Sequence, residues 1–422
     1  MTHLNIRSCA KWLTISTMSV LIMVSAAMAT NGYFSHGYGT QYKGMAGAGV
    51  ALSIGTLSAA TNPASMVGAG AGYDIGIAYF SPIREFTVTG NPSNFPGTFG
   101  LAPGTVESNS NTFIIPSLGA NWMLNETASI GVSIYGNGGM NSDYDAPVFG
   151  FTPTGINFEQ LFIVPTYAIQ INSQHALGAS IILGYQTFEA KGLGAFAGFS
   201  SDAANLTDNG KSTTTGLGYK VGYIGEFSEM VSVGASYQTK TFMGNFDEYA
   251  GLFAEQGDFD VPSTWTVGVA LSPNDDLTIV ADVQQILYTD IASVSNSFLP
   301  NLQTALLGND AGAGFGWEDM TIIKIGAQYQ LNEGMAVRVG FSTGGQPIPA
   351  SEMLFNILAP AVVEQHISFG FSKYMEGGRE FSLALTKVLS NTVSGPNPLE
   401  APDQQTIELK MNQLEIEAGF SF

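Results

Sequence analysis

The chain has 422 residues, of which 45% are hydrophobic, 51 are glycine and only 11% are charged, with a formal net charge of −20. A water-soluble globule carries roughly 25% charged residues, so much of this surface faces something other than water. The excess of 34 acidic over 14 basic groups excludes a nucleic-acid partner, because phosphate contacts require clustered Lys and Arg.

The amino terminus reads Arg7 and Lys11, then the apolar run Leu13 to Ala26, then the small-residue site Ala27-Met28-Ala29. This order predicts a secretory signal peptide over residues 1–29, cut before Thr30. The run falls short of the ~20 apolar residues of a membrane anchor. Cys9, the sole cysteine, precedes the run, which speaks against a lipoprotein and leaves the exported chain without a disulfide. After cleavage 12 Lys and Arg face 34 acids, a formal charge of −22.

Downstream, the dominant pattern has period two. Leu277, Ile279, Ala281 and Val283 alternate with Thr278, Val280, Asp282 and Gln284; Ile323, Ile325, Ala327 and Tyr329 alternate with Lys324, Gly326 and Gln328. Residues 231–238 and 335–342 repeat it. Such segments, about ten residues each, suit strands with one face in lipid and the other in a wet lumen. Lys324 and Arg338 would cost about 2–4 kcal/mol each at mid-bilayer and Asp282 a smaller amount, so all three face inward. Since every backbone polar group in a bilayer must be paired internally, the strands have to close into a barrel. Fourteen segments are expected, at 72–89, 110–122, 128–138, 157–171, 175–190, 212–227, 230–243, 259–272, 276–289, 319–331, 334–343, 361–375, 379–391 and 404–422. The expected fold is therefore an all-β, 14-stranded antiparallel transmembrane barrel over residues 72–422. Short turns such as Asn125-Glu126, Ser228-Glu229 and Asn332-Glu333 fall at one end and long loops at the other, the periplasmic and outer ends of bacterial barrels. Leu414, Ile416, Ala418, Phe420 and Phe422 give the carboxyl terminus the alternating apolar pattern of barrels folded by the outer-membrane insertion machinery.

Residues 30–71 do not alternate. From Gly44 to Tyr73 no residue is charged, and Gly, Ser and Thr with the Asn62-Pro63 step make a membrane helix a poor reading. Small residues allow close backbone packing, so a plug filling the lumen is expected. The block Asn31-Gly32-Tyr33-Phe34, then Gly44 to Gly49, then Asn62-Pro63-Ala64, followed by fourteen strands and a terminal Phe, resembles the FadL-type outer-membrane transporters of long-chain fatty acids and aromatic hydrocarbons. The resemblance implies that residues 30–71 are a lumenal hatch with Asn62, Pro63 and Ala64 as its motif. It also implies an inward kink in the third strand that opens the wall. Gly136, Asn137, Gly138 and Gly139 stand where that strand loses its alternation, and glycine there permits a bulge; they also suit the start of an outer loop.

Apolar clusters in the long loops are candidate ligand contacts: Phe298, Leu299, Leu302, Leu306 and Leu307, then Met353, Leu354, Phe355, Ile357 and Leu358, with Leu193, Phe196 and Phe199 as a third. The first two have amphipathic helical spacing, and packing on one another as a cap accounts for them equally well. A carboxylate ligand would seek a lumen cation, for which Lys324 and Arg338 come first, then Lys220 and Lys387. Tyr33 and Phe34 would meet an apolar tail, as the resemblance implies. His36, His175 and His366 lack metal-ligand spacing, and neither a metal, a cofactor nor enzymatic chemistry is expected. The expected function is passive transport of a hydrophobic small molecule by a monomer embedded in outer-membrane lipid beneath lipopolysaccharide. The alternatives are a general porin and a structural or adhesive barrel.

Overall fold

The computed structural model describes residues 31–422; the expected signal peptide over 1–29 lies outside the described residues. Period-two alternation becomes sixteen strands in one antiparallel sheet: β1 (Gly72–Thr89), β2 (Gly104–Glu107), β3 (Phe113–Asn125), β4 (Ala128–Tyr144), β5 (Thr154–Asn172), β6 (His175–Lys191), β7 (Ser212–Ser228), β8 (Val231–Gln238), β9 (Phe242–Met243), β10 (Thr264–Asn274), β11 (Leu277–Ile286), β12 (Met320–Asn332), β13 (Met335–Gly344), β14 (Gln365–Met375), β15 (Arg379–Pro396) and β16 (Thr406–Ser421). Short β2 pairs only with β1 and β9 only with β7. The other fourteen form the wall, which β1 and β16 close from Asp74↔Ser421 to Thr89↔Thr406. Closure leaves no edge to expose unpaired backbone to lipid.

Alternation holds along the wall. Ile323 and Ile325 are about half exposed on the lipid face, whereas Lys324 between them is buried. Arg338, Asp282 and Lys220 are likewise buried on the inner face. Lys387 corrects the expectation of an inward phase: it is exposed between the outward residues Leu385 and Leu389, and its Nζ donates to Asn412 Oδ1 at 3.2 Å. Its long apolar stem lets it lie along the wall with the charge carried away.

Among the strand limits that differ from the sequence expectation, three fall short of it, two of them for the same physical reason. The segment expected at 259–272 begins only at Thr264, that at 361–375 only at Gln365, and that at 230–243 breaks after Gln238. Phe259, Val261, Ala361, Val362 and Val363 are all buried in the core beneath the outer loops. Their apolar pattern serves that core instead of the wall. At the break, Thr239 Oγ1 accepts the Tyr219 amide at 3.1 Å in place of a ladder carbonyl.

Residues 31–71 lie inside the barrel as short turns, a helical turn over Thr40–Lys43 and another over Ser65–Ala69. The wall makes room for them with glycine on its inner face. An added methyl at Gly340 would overlap the Met45 carbonyl, at Gly178 the Pro63 carbonyl, at Gly222 the Asn62 amide and at Gly234 the Val50 carbonyl. Gly47 has φ +77° and lies against the His36 carbonyl, so only glycine satisfies both its dihedral and its space.

Gly340→Val should displace the segment while leaving the wall ladder intact. The expected result is a heat-modifiable, folded barrel whose planar-bilayer conductance rises at least tenfold over wild type; unchanged conductance would show that the segment does not depend on this contact.

Candidate functional site

Buried polar groups tie residues 31–71 to the wall, because a buried donor or acceptor left unpaired costs about 1–3 kcal/mol. Asp282 Oδ2 accepts the Gly49 and Val50 amides at 2.7 and 3.0 Å. Asn62 Nδ2 donates to Val50 O at 2.8 Å and to Tyr223 O at 3.0 Å, while its Oδ1 takes the Ala64 amide at 3.0 Å. Asn62-Pro63-Ala64 is thus a clasp between segment and wall. Lys43 is buried between Glu415 and Glu417 and ion-pairs with both. Removing one partner of a buried pair costs about 3–5 kcal/mol.

The wall cations are engaged in the same way. Lys324 Nζ donates to His36 O at 2.9 Å, and Lys220 Nζ donates to Ala60 O. Arg338 donates to Gln328 Oε1 at 2.7 Å and to Ser372 Oγ at 2.5 Å, with Glu380 at 3.9 Å. Lys324 and Arg338, the candidate partners of a ligand carboxylate, thus both have protein partners in the structure. His36 stacks on His366 at 5.6 Å, far from His175, which meets the Tyr223 hydroxyl at 2.8 Å.

The wall is interrupted at one seam. Pairing between β3 and β4 runs from Asn125↔Ala128 up to Ser117↔Tyr135 and stops. Pro116, which has no N–H to offer, sits just beyond the last pair. β4 continues along β5 to Tyr144, with Asn137 as a bulge between Gly136↔Leu161 and Gly138↔Gln160. The β3-facing edge thus vacated is taken by the amino-terminal segment. Phe34 bridges Gly138, Ser35 N donates to Asn137 O at 2.9 Å, and Gly139 N donates to Tyr33 O at 2.9 Å. Above, Asn109 N donates to Asp143 O at 2.8 Å and closes the seam. Ile115, Pro116, Tyr135, Gly136, Ser35 and Tyr38 line a small pocket at this interruption, the window between β3 and β4, which the amino-terminal segment fills. Gly136 to Gly139 are therefore strand, not the start of a loop.

Tyr33, fully buried, has ring centroids 5.2 Å from Tyr288, 5.8 Å from Phe158 and 5.9 Å from Trp317. From Trp317 the aromatic chain passes to Phe315 at 6.3 Å, then Phe355 at 6.2 Å, then Phe298 at 4.5 Å and Phe196 at 5.1 Å. It joins the window to the outer loops. Leu302, Leu354 and Phe355 are buried in this cluster and Leu299 packs against its margin. The three loop clusters converge as a cap. Phe158, Phe259, Tyr288 and Trp317 were not among the sequence candidates. For Phe158 the signal was available, because Phe158, Phe162 and Val164 put apolar residues on the inward phase of β5, where a wet lumen would want polar ones.

The sequence matches the family model for outer membrane protein transport proteins (OMPP1/FadL/TodX) over residues 20–374. The chain belongs to this family. The FadL-type assignment makes it an outer-membrane transport protein and not an enzyme. Among solved structures it is similar to the Pseudomonas putida toluene transporter TodX, 17% identical, with 92% of this chain and 98% of that one covered and a TM-score of 0.67. A Pseudomonas aeruginosa FadL homologue is 16% identical at the same coverage and TM-score. The Ralstonia pickettii toluene transporter TbuX is 15% identical, with 92% and 98% covered and a TM-score of 0.61. No curated protein matches the sequence.

One titratable group of this FadL-type barrel sits against the aromatic cluster from the outer side. Burial, then the neighbouring Asp260 carboxylate, pushes the Asp258 carboxyl up to about 7, with Glu255 adding to the rise and Lys240 opposing it. Asp258 flanks Phe259, whose ring is tilted 58° against that of Phe158 with centroids 4.7 Å apart. A carboxyl whose folded value is raised stabilises the folded loop below its unfolded value, and that contribution is lost as pH rises through about 7. Hydrogen exchange of residues 254–263, corrected for intrinsic rates, should therefore accelerate between pH 5 and pH 8. The extra acceleration should vanish in Asp258→Asn.

Proposed function

We propose that this barrel moves hydrophobic small molecules passively across the outer membrane, by capture among the outer loops, holding against the aromatic cluster, and lateral release through the window between β3 and β4. The window carries the reading: wall pairing stops at Ser117↔Tyr135 although both strands continue. A water-filled pore for polar solutes gains nothing from a wall opening toward hydrocarbon. A hydrophobic solute does, because lateral exit lets it bypass the polar lipopolysaccharide layer and enter lipid directly. The aromatic chain from Phe298 and Phe355 to Tyr33 supports the path. Each apolar group transferred from water onto it gains roughly 25 cal/mol per Å². Tyr33, Phe34, Leu299, Leu302, Leu354 and Phe355 are the assigned ligand contacts, residues 30–71 the hatch, and Gly136 to Gly139 the moving edge. The reading takes the protein as a monomer, placed by the insertion machinery, with its apolar belt in outer-membrane lipid. The solved relatives named for toluene and the FadL homologue suggest aromatic hydrocarbons and fatty acids as the first compounds to test.

Deleting Asn137 removes the bulge that β4 makes against β5 and is expected to let β4 extend its pairing with β3. Uptake of radiolabelled toluene and of oleate should fall at least tenfold for whichever is the substrate, with heat-modifiability of the barrel preserved. Unchanged uptake of a transported compound would remove the lateral route. Swelling of liposomes loaded with sugars by the wild-type protein would favour a porin instead.

A further inference from the structure

The outward face of β4, β5 and β6 changes character with height. Lower down it presents Ile130, Tyr167, Ile169, Leu177, Ile181 and Leu183, all exposed. Above them the same face turns polar, because Met140, Tyr144, Ile156, Phe158, Phe188 and Ala190 point into the loop core and send their neighbours outward. Register places Asn141 beside Asn157 and Asn157 beside Glu189, and puts Gly155 between Asp143 and Lys191. Gly155 leaves a floor where a side chain would meet the Ser142 carbonyl and the Lys191 stem. Ser110 of the connection between β2 and β3 forms the rim. The resulting recess holds about 220 Å³, far above the ~15 Å³ that admits one water.

Its chemistry is specific. Asn141 is 6% exposed; its Nδ2 donates to Asn157 Oδ1 at 2.7 Å, but its Oδ1 is buried without a partner among the described residues. Most buried acceptors in native proteins are hydrogen-bonded, and this one, on a residue that lines the recess, is open to a donor from a bound molecule. Lys191 Nζ and Asp143 Oδ1 pair at 2.5 Å across the recess, both side chains still about two-fifths exposed. Glu189 makes no ion pair among the described residues. Two carboxylates against one ammonium repel a phosphate, and the sole apolar residue on the lining, Ile156, packs into the loop core on the other face. What remains is a set of closely spaced acceptors with an ammonium and a hydroxyl, which matches adjacent sugar hydroxyls, each able to donate and accept.

We propose that this recess binds an uncharged sugar of the saccharide headgroup of an outer-leaflet glycolipid, seated on the wall beside the β3–β4 window. The apolar face directly below favours the glycolipid over a free sugar, because acyl chains attached to the bound headgroup lie on Leu183 and Ile181. The proposal does not rest on the transport reading.

The full-length barrel, purified in detergent, is incubated with rough-type lipopolysaccharide that retains its uncharged core hexoses and with its free core oligosaccharide, and retention is read by native mass spectrometry. The expected result is one glycolipid retained by wild type, and at least a tenfold loss of retention in Asn141→Leu and in the more exposed pair Glu189→Ala and Lys191→Ala, which decides the matter if Asn141→Leu does not fold. Retention unchanged in the folded variants, or absent in wild type, overturns the site. Free oligosaccharide binding as tightly as lipopolysaccharide overturns the glycolipid assignment. Uptake by the Asn137 deletion is a separate measurement, so failure of either idea leaves the other standing.

Discussion

Every backbone amide in the wall must find a carbonyl within the protein, because hydrocarbon offers none. That demand closes β1 on β16, and it also explains why the one interrupted seam is not left bare. Where β4 parts from β3, Ser35 supplies a donor and Tyr33 an acceptor that β3 no longer provides. The amino-terminal segment is therefore both a filling of the lumen and a substitute strand. The site follows from this double role, since the residues that pair with β4 are the same residues that present Tyr33 and Phe34 to the aromatic cluster.

The interior is held by a different balance. Small residues in the segment meet glycines in the wall, so backbone approaches backbone, and each approach leaves amides and carbonyls that need partners. Asp282, Asn62, Lys324 and Lys220 supply them. Few charges enter the lumen, and those that do are committed: Lys43 to Glu415 and Glu417, Lys324 to the carbonyl of His36. A lumen furnished in this way gives little footing to a hydrated ion. Packed in its upper half with phenylalanine, tyrosine and tryptophan, it favours apolar company.

The strands were legible because a side-chain period of two is local. A residue pair such as Lys324 and Ile325 betrays its faces without any knowledge of its neighbours. Where two causes produce the same alternation, local reading fails. Phe259, Val261 and Val363 look like wall residues but belong to the loop core, and Lys387 sits among lipid-facing leucines with its charge on the outside. The inward phase of Lys324 and Arg338 could be read; their partners could not, since Lys324 reaches a carbonyl 288 positions away. The interruption of β4 was visible as clustered glycine, but not that the strand resumes and that Tyr33 and Ser35 fill the breach. Long-range backbone pairing leaves no trace in composition.

The window's stand-in pairing has a mechanical corollary. Withdrawal of Tyr33 to Ser35 from β4 strips the Gly139 amide and the Asn137 carbonyl of their bonds at a place bordered by lipid, and each loss there is expensive unless water or a solute's polar end reaches the edge. On the proposed lateral route the gap would therefore shut behind a passing solute with no external energy source. The membrane itself, by refusing to solvate an open strand edge, acts as the spring.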